Sequence, residues 1–436
     1  MVREILKKIK NRELKIGVIG LGYVGLPLSE LFLKKGFEVF GYDVSEEKIA
    51  NFQKGQFDIE DIDPDFLSEK IDSKEFIVSS NEKIIGEMEA IFICVPTPVT
   101  KERVPDLSYV ISAAHSIKRN MKEGQIIVLK STTFPETTEK ILLPIFEDKN
   151  FRVGKNFYLG FVPERVNPGD KIFTIDKIPV VTSGVTKNCL KLINALYSEI
   201  VPSIFPVSSP KVAEMCKIYE NIFRNVNIAL SNQVAILCDR MGIDIWEVIE
   251  AAKTKPFGFM AFYPGPGVGG HCIPVDPYYL SFKAKEYDME LDFITLAAKV
   301  NDEMPYYVVD RIIRILNKER ILPLDSEILV LGVAFKKDIK DIRHSPAIKI
   351  ISILANLVKR VEYIDPYVPE VKELNKRSLK YKSDIFKSFD LVVILTDHSD
   401  FPYEEIYKSS KLIFDTRGVY KIKSKKIYKL GEGKII

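Results

Sequence analysis

Short apolar segments alternate along the first half of the chain with segments of helical periodicity. LKIGVIG at 14–20 and FEVFGYD at 37–43 are strand-like, and a helical pattern lies between them. Further strand-like segments follow at 90–96, 125–130, 157–162 and 178–183. Helical patterns separate them near 108–121, 136–147 and 186–198. This alternation predicts a doubly wound α/β domain with a parallel sheet that extends to about residue 205.

The pattern changes after Pro210, where a long helical segment begins that ends near Gly242, a residue suited to a helix C-cap. A second helix is predicted over 242–252. Strand-like segments then return at 327–335, 361–366, 391–397 and 411–418, and a helix is predicted over 345–358. The predicted fold class is α/β, with two Rossmann-like domains joined by a central helical domain that contains one long helix. We place these domains at 1–205, 206–316 and 317–436.

Composition and charge narrow the functional classes. The 436 residues are 46% hydrophobic with a net charge of +3, and Lys and Arg are spread along the chain, so we expect no nucleic-acid partner. The five cysteines are scattered without a CxxC spacing, which indicates a reducing compartment and no metal site. No apolar run reaches the roughly 18 residues of a membrane helix. Residues 1–12 are basic and amphipathic, typical of a helical extension or a frayed terminus. We therefore expect a cytoplasmic protein without a membrane partner.

A glycine-rich turn follows the first strand. Gly20, Gly22 and Gly25 form G-x-G-x-x-G between a strand and a helix, and the next strand ends in Asp43. In this context the motif predicts a dinucleotide whose pyrophosphate lies at the helix N-terminus. Asp43 would accept hydrogen bonds from a ribose diol, which favours NAD over NADP. Lys48 is either a contact for the adenosine end or a solvated helix lysine, and the motif itself has the alternative of a glycine-rich turn in an unrelated α/β protein.

Polar residues follow three more of the predicted strands. Thr97 lies in VPTP, Ser131 and Thr132 lie in LKSTTFP, and Glu164 and Arg165 lie in FVPERVNPG. Ligands of parallel sheets bind beyond the carboxyl ends of the strands. The coincidence of three such positions predicts a cleft, although Ser, Thr and Pro are also common at ordinary turns.

The segment PGPGVGGHCIPVDPYY at 264–279 presents a single cysteine, Cys272, after a run of glycine and proline. Such a segment is too poor in side chains for a core. We interpret it as a bend that exposes one thiol, with Asp276 four residues later. His271 either favours the thiolate or caps the loop backbone. The alternative is a structural loop with an incidental small apolar cysteine.

Lys217 and Asn221 lie four residues apart on the predicted long helix and so share one face. Their neighbours Cys216, Ile218 and Phe223 are predicted to be buried. A Lys and an Asn on a largely apolar helix are candidates for a site, and the alternative is a snorkelling lysine beside a surface asparagine.

Lys336, Lys337 and Arg343 follow the first strand of the C-terminal α/β segment and suit an anionic ligand. The alternative is a solvated basic turn whose charges pair with Asp338 and Asp341.

Together these motifs resemble the UDP-glucose/GDP-mannose dehydrogenase family over nearly the full length. The motifs that carry the resemblance are GLGYVG, VPTP, KSTT, PER, AEMCKIYENIFRNVNIA, PGPGVGGHCIPVDP and FKKDIKDIRHSPA. VPTPVTKERVPDLSYV, PERVNPG and AAKTKPFGFMAFYPGPG are most similar to the branch that acts on UDP-N-acetylhexosamines. UDP-N-acetylglucosamine is the favoured substrate and UDP-N-acetylmannosamine the next.

The resemblance implies a four-electron oxidation of a sugar C6 alcohol, with two NAD and a covalent intermediate on Cys272, first a thiohemiacetal and then a thioester. It assigns Lys217, Asn221 and Asp276 to oxyanion stabilisation or proton transfer, and Glu164 and Thr132 to the hydrolytic water. It implies cofactor contacts at Gly20, Gly22, Tyr23, Val24, Gly25, Asp43, Lys48, Thr97, Thr132 and Arg343. It implies substrate contacts at Glu164, Arg165, Lys217, Asn221, Gly269 and Lys336. It further implies a role in polysaccharide biosynthesis and a homodimer, or a higher homo-oligomer, formed through the long helix.

The chain departs from the UDP-glucose branch at Pro168, where that branch has an acid, at KPFGF (255–259), where it has a sugar-contacting Arg, and at His271. These departures weigh against a UDP-glucose 6-dehydrogenase but do not exclude it. A two-electron 3-hydroxyacid dehydrogenase would share the glycine-rich start and a catalytic lysine, without needing Cys272. A non-catalytic nucleotide-binding protein would need only the glycine-rich turn.

Overall fold

The computed structural model describes residues 1–59, 62–100, 102–165, 177–382 and 384–433. They form two compact units. The first comprises Met1–Glu220 and Tyr278–Met289, and the second comprises Asn221–Pro277 and the described residues from Glu290 onward. Among the described helices none is long and apolar enough to cross a bilayer.

The first unit is built on a six-stranded parallel sheet. Its strands are β1 (Ile16–Ile19), β2 (Val39–Tyr42), β3 (Phe76–Ser79), β4 (Ala90–Ile93), β5 (Ile126–Leu129) and β6 (Tyr158–Phe161). Their order is β3-β2-β1-β4-β5-β6, which is the order of a doubly wound dinucleotide-binding domain. The prediction of a doubly wound sheet is therefore confirmed, although the edge strand β3 was not predicted.

The helices of the first unit cover both faces of this sheet. They are α1 (Val2–Asn11), α2 (Gly25–Lys34), α3 (Glu46–Phe52), α4 (Pro64–Asp72), α5 (Ser108–Arg119), α6 (Leu143–Phe146) and α7 (Lys187–Ser198), and a π-helical turn (Thr137–Leu142) precedes α6. Because both faces are covered, nearly every residue of the strands is buried. The N-terminal segment is a packed helix rather than a frayed terminus, since Ile5 and Ile9 belong to the core.

The strand predicted over 178–183 does not join the main sheet. It forms β7 (Val180–Thr182), which pairs in parallel with β8 (Ile204–Pro206) in a separate two-stranded sheet. The hydroxyl of Ser183 donates to the Phe161 carbonyl at 2.6 Å, and the Phe161 N–H donates to the same hydroxyl at 3.3 Å. This side chain therefore occupies bonding positions on β6 that a seventh strand would need.

The long predicted helix is confirmed as α8 (Pro210–Met241), with 32 residues. The other helices are α9 (Ile245–Lys253), α10 (Asp276–Ala284), α11 (Asp292–Lys318), α12 (Pro346–Leu354) and α13 (Tyr403–Ser409). The helix predicted over 242–252 begins three residues late, because Asp244 caps it by accepting from the N–H of Trp246. The 27-residue α11 was not predicted.

The second unit contains a five-stranded parallel sheet in the order β10-β9-β13-β14-β15. Its strands are β9 (Glu327–Leu331), β10 (Arg360–Ile364), β13 (Leu391–Ile394), β14 (Ile413–Asp415) and β15 (Ile427–Lys429), and a small antiparallel pair is formed by β11 (Glu370–Val371) and β12 (Lys376–Arg377). This second α/β sheet confirms the predicted fold class, although β15 was not predicted.

Candidate active site

The glycine-rich turn joins β1 to α2 in the first unit. Gly20 has a φ of +91°, and a Cβ on Gly25 would lie 1.9 Å from the carbonyl oxygen of Gly20, so both positions require glycine. No described atom beyond its chain neighbours lies within 4 Å of the place that a Cβ on Gly22 would take. Two glycines thus close the turn, and the third leaves its backbone open at the start of α2. These residues fit the pyrophosphate of a dinucleotide.

Asp43 at the end of β2 is buried and bonded to the same turn. Its carboxylate accepts from the N–H of Leu21 at 3.0 Å and from the N–H of Ser45 at 3.1 Å. Lys48 is ion-paired to it at 2.8 Å and is not simply a solvated lysine. A carboxylate oxygen accepts more than one hydrogen bond, so ribose hydroxyls find acceptors here, whereas a 2′-phosphate meets a negative charge. The arrangement fits NAD.

Other predicted site residues lie at the same edge of the six-stranded sheet. Thr97 follows β4, Thr132 follows β5 and Glu164 follows β6, and these strands are parallel neighbours in the sheet. Thr97 is buried, and its carbonyl oxygen accepts from the hydroxyl of Tyr279 at 2.7 Å. The remaining residues of the glycine turn lie beside this edge; among them, Tyr23 is 44% exposed. The structure therefore brings Thr97, Thr132 and Glu164 to one edge of the sheet.

Glu164 is ion-paired to Lys130, a residue that we did not predict individually. The distance is 3.1 Å, and the lysine side chain is only 3% exposed. Burial alone lowers the pKa of Lys130, but the Glu164 carboxylate outweighs this effect, so the pKa lies above its ordinary value. A lysine at the end of the buried strand IIVLK was the available signal, since an unpaired buried lysine is rare.

Arg165 forms an ion pair with Glu220 at 2.7 Å and donates to the Pro179 carbonyl at 2.7 Å. A substrate contact by Arg165 would therefore compete with Glu220. Pro168, the departure noted in the sequence, lies outside the described residues.

Glu214 is a second residue that sequence reasoning missed. It lies on α8, three residues before Lys217, and accepts from the N–H of Glu136 at 2.7 Å and from the N–H and hydroxyl of Thr138 at 2.9 and 2.7 Å. Burial raises the pKa of Glu214 to about 7. These bonds fasten the segment that follows Thr132 to the first turn of α8.

Lys217 and Asn221 are both buried, with 8% and 6% of their surface exposed, so the alternative of a snorkelling lysine and a surface asparagine is wrong. Phe223 was predicted to be buried but is 43% exposed. Its ring packs in part against the ring of Phe262, which lies in the loop before Cys272, with the ring centroids 5.8 Å apart.

In the second unit, Cys272 is exposed and lies immediately before α10. Its carbonyl oxygen accepts from the N–H of Asp276 at 2.8 Å. The Asp276 side chain is buried and accepts a short hydrogen bond from Nδ2 of Asn221. Of the predicted residues Lys217, Asn221, Cys272 and Asp276, the structure thus bonds Asn221 to Asp276 and Asp276 to the backbone of Cys272.

The glycines before the thiol pack closely against other residues of the second unit. Gly270 has a φ of +88°, and its N–H donates to the carbonyl oxygen of Arg343 at 2.9 Å. A Cβ on Gly269 would lie 2.6 Å from Cβ of Phe335. Burial, together with the nearby charge of Arg343, lowers the pKa of His271. A lowered pKa favours the neutral imidazole, and a neutral imidazole does not stabilise a thiolate by charge.

The other cysteines are poor nucleophiles by environment. Burial raises the pKa of Cys94 to about 12 and also raises the pKa of Cys216 and of Cys238. Cys189 is buried and accepts from the N–H of Leu159. Cys272 alone among the five is exposed.

In the basic turn after β9, Arg343 forms a bidentate ion pair with Asp341, with Nε–Oδ1 and Nη2–Oδ2 distances of 3.0 and 2.5 Å. Asp338 instead accepts from the N–H and hydroxyl of Ser399 at 2.6 and 2.7 Å. The predicted alternative of a paired turn therefore holds for Arg343, and a cofactor contact there would compete with Asp341. Lys336 lies in the same turn and is half-buried.

Comparison with known protein families identifies matches along most of the chain. Three models of the UDP-glucose/GDP-mannose dehydrogenase family match consecutive parts of the chain. The NAD binding domain matches residues 14–201, the central domain residues 211–303 and the UDP binding domain residues 329–422. The predicted NAD cofactor is confirmed.

Individual relatives agree over nearly their whole length. A UDP-N-acetyl-D-glucosamine 6-dehydrogenase of Pseudomonas aeruginosa is 36% identical, with 89% of this chain and 92% of the relative covered. A UDP-N-acetyl-D-mannosamine dehydrogenase of Pyrococcus horikoshii is 35% identical, with 94% and 96% covered. The solved structure of a UDP-D-ManNAc dehydrogenase from Pyrococcus horikoshii superposes with a TM-score of 0.87 at 34% identity, covering 96% of this chain and 100% of the other. The chain therefore belongs to the UDP-glucose/GDP-mannose dehydrogenase family and is an NAD-dependent nucleotide-sugar dehydrogenase.

Proposed function

We propose that the protein oxidises the C6 alcohol of a UDP-N-acetylhexosamine to the corresponding uronic acid through a covalent bond to Cys272. The observation that carries the proposal is the exposed thiol of Cys272, which is held one turn before a buried Asn221–Asp276 pair. UDP-N-acetylglucosamine is the first candidate substrate and UDP-N-acetylmannosamine the second. Relatives that bear these two substrate names are 36% and 35% identical, and the acetamido group is common to both.

The overall reaction consumes one alcohol, two NAD⁺ and one water, and forms one carboxylic acid, two NADH and two protons. NAD, when bound, supplies the oxidising power by accepting two electrons at each of two stages. The first stage converts the C6 alcohol to an aldehyde, and the hydroxyl proton must leave. Lys217, Asn221 and Asp276 are the groups that we assign to this proton and to the developing charge on the oxygen.

In the second stage Cys272 Sγ bonds to the aldehyde carbon, and the thiol proton is transferred to the carbonyl oxygen, which gives a thiohemiacetal. Loss of two electrons and a proton from that carbon, and of the hydroxyl proton, gives a thioester. The side chains of Asn221 and Lys217 are assigned to the oxygen, where a donor stabilises the alkoxide.

Hydrolysis then cleaves the carbon–sulfur bond. Water adds to the thioester carbon, the acid leaves, and the thiol recovers its proton. We assign Glu164 to the water, with Thr132 as a second contact. The buried Lys130 holds the Glu164 carboxylate at 3.1 Å and favours its ionised form.

We assign substrate and cofactor binding to three functional domains. Residues 1–205 bind NAD, residues 206–316 carry the thiol and the long helix, and residues 317–436 bind the UDP group. Lys336 is the proposed diphosphate or sugar contact of the last domain, and Gly269 and Arg165 are proposed sugar contacts.

A panel of nucleotide sugars tests the proposal. We expect NADH formation with UDP-N-acetylglucosamine, or with UDP-N-acetylmannosamine, at least about tenfold more efficient than with UDP-glucose, since one well-placed polar contact corresponds to about 1.4 kcal/mol or more. The yield should be two NADH per sugar consumed. One NADH per molecule of a 3-hydroxyacid would identify a two-electron dehydrogenase, and faster oxidation of UDP-glucose would overturn the substrate assignment.

We also propose that two copies of the chain associate through α8. The helix exposes large apolar side chains at positions three, four or seven residues apart, namely Val212, Met215, Tyr219, Phe223, Leu230, Leu237 and Met241. At about 100° per residue these positions form one stripe along the helix. An exposed apolar stripe of this length is typical of a protein–protein interface.

The double substitution Leu230→Glu with Leu237→Glu should halve the molar mass in solution, because two buried charges oppose association. Light scattering after size exclusion measures the mass. Arg224→Glu, a charge change at an exposed position of α8 outside the stripe, is the matched control and should leave the mass unchanged. A double variant that keeps the parent mass would place the interface elsewhere.

A further inference from the structure

Buried asparagines connect α8 to two points of the segment that carries Cys272, one before and one after the thiol. Nδ2 of Asn225 donates to the carbonyl oxygen of Ile273, the residue directly after the cysteine, at 3.1 Å. Oδ1 of Asn232 accepts from the N–H of Gly265, near the start of the segment, at 2.9 Å. Asn225 and Asn232 are 1% and 0% exposed. The loop is thus fastened to one rigid helix on both sides of the thiol.

Asn301 on α11 links these two asparagines. Its Nδ2 donates to the backbone carbonyl of Asn225 at 3.0 Å, and its Oδ1 accepts from Nδ2 of Asn232 at 2.9 Å. Asn301 is 3% exposed. A network whose bonds are buried or partly buried resists rearrangement, because breaking one bond leaves a polar group with little access to water.

Asn225 is an unfavourable residue for the stability of a buried site. Its Oδ1 has no hydrogen-bond partner within the described ranges. An unpaired buried acceptor lowers the stability of the folded protein. An aliphatic residue would avoid this loss of stability but could not donate a hydrogen bond to Ile273. The hydrogen bond next to Cys272 therefore explains why an amide occupies this position.

We propose that Asn225 is a positioning residue for the thiol of Cys272. Asn225 lies one helical turn after Asn221, which donates a hydrogen bond to Asp276. Consecutive turns of α8 therefore bind Asp276 and Ile273, the residue directly after Cys272. Through the bond to Ile273, Asn225 sets where Sγ meets the aldehyde carbon. The inference rests on the proposed function, since it requires Cys272 to be the nucleophile.

The two oxidation stages separate this role from a purely structural one. The first stage needs no bond to sulfur, whereas the second begins when Sγ bonds the aldehyde carbon and the thiol proton passes to the carbonyl oxygen. A displaced thiol slows only the second stage, and misplacement of a reacting atom by about 1 Å costs on the order of 100-fold. Loss of general stability would slow both stages together.

Single-turnover NADH formation by the full-length enzyme, with the sugar that the panel selects, tests the proposal. With Asn225→Ala we expect the first NADH to form within about threefold of the parent rate and the second to form about 10- to 100-fold more slowly. Asn225→Asp preserves the shape but replaces the donor with an oxygen, and should show the same split. Asn227→Ala is the matched control, since this asparagine on the same helix donates to the carbonyl oxygen of Phe223. It should form both NADH at the parent rate.

Equal slowing of both stages, or rates equal to those of Asn227→Ala, would overturn the inference. Failure of both Asn225 variants to fold would also overturn it, because the residue would then hold the fold and not the thiol. Cys272→Ala, run in parallel, must yield a single NADH. If that variant yields two, the proposed function fails whatever the Asn225 variants do, and if it yields one, the Asn225 result is decisive by itself.

Discussion

Cys272→Ser should form the first NADH but no measurable uronic acid. A serine hydroxyl is almost entirely protonated at neutral pH, whereas a few per cent of an ordinary thiol is already ionised and sulfur is intrinsically the better nucleophile. Removing the nucleophile of a covalent mechanism costs several orders of magnitude in rate, and we expect a loss of at least about 1,000-fold in acid formation. Acid is measured by mass spectrometry of the product and NADH by its absorbance.

The fold should tolerate this change. Cys272 is exposed, and the hydrogen bonds next to it involve its carbonyl oxygen, which serine retains. The free energy of unfolding should therefore change by no more than about 0.5 kcal/mol. Cys238→Ala is the control for acid formation, since this other thiol is buried and burial raises its pKa. Acid formation by Cys272→Ser at the parent rate would exclude a covalent intermediate on this residue.

Sequence reasoning succeeded where the structure depends on residues that are close together in the sequence. The strand, glycine turn and helix around Gly20 follow from local sequence, and so does the acid at Asp43. Parallel strands place their carboxyl ends at one edge, so Thr97, Thr132 and Glu164 could be grouped without knowledge of any contact. The helical periodicity of apolar residues between Pro210 and Gly242 was enough to predict α8.

The failures concern contacts between residues that are distant in sequence. β7 is strand-like in composition, but the hydroxyl of Ser183 occupies the edge of β6, and nothing in either segment predicts that bond. Lys130 could be noticed as a lysine at the end of a buried strand, but its pairing with Glu164 at 3.1 Å could not be predicted from either segment. Asn225 has no meaning in the sequence beyond a polar residue on a helix, because its role depends on Ile273, 48 residues later.

Two alanine substitutions in the glycine turn should have different effects, because one methyl group would clash within the protein and the other with the bound NAD. Gly25→Ala should lower both stability and NAD affinity. The added Cβ would lie 1.9 Å from the carbonyl oxygen of Gly20, and backbone on both sides leaves no flexible group to move aside. Opening the turn would also strain the bond from the Leu21 N–H to Asp43. We expect a loss of about 2–4 kcal/mol in the free energy of unfolding.

Gly22→Ala should leave stability unchanged and weaken NAD binding about 10- to 100-fold. No described atom beyond its neighbours in the chain lies within 4 Å of the new Cβ, so the folded protein has room for it. The proposed place of the pyrophosphate is against this backbone, where a methyl group prevents the close approach that glycine allows. Thermal unfolding without ligand and NAD titration by calorimetry separate the two effects. If Gly22→Ala binds NAD as tightly as the parent protein, the phosphate does not approach the turn at this residue, and a lowered melting temperature would mean that the space around Gly22 is required by the fold.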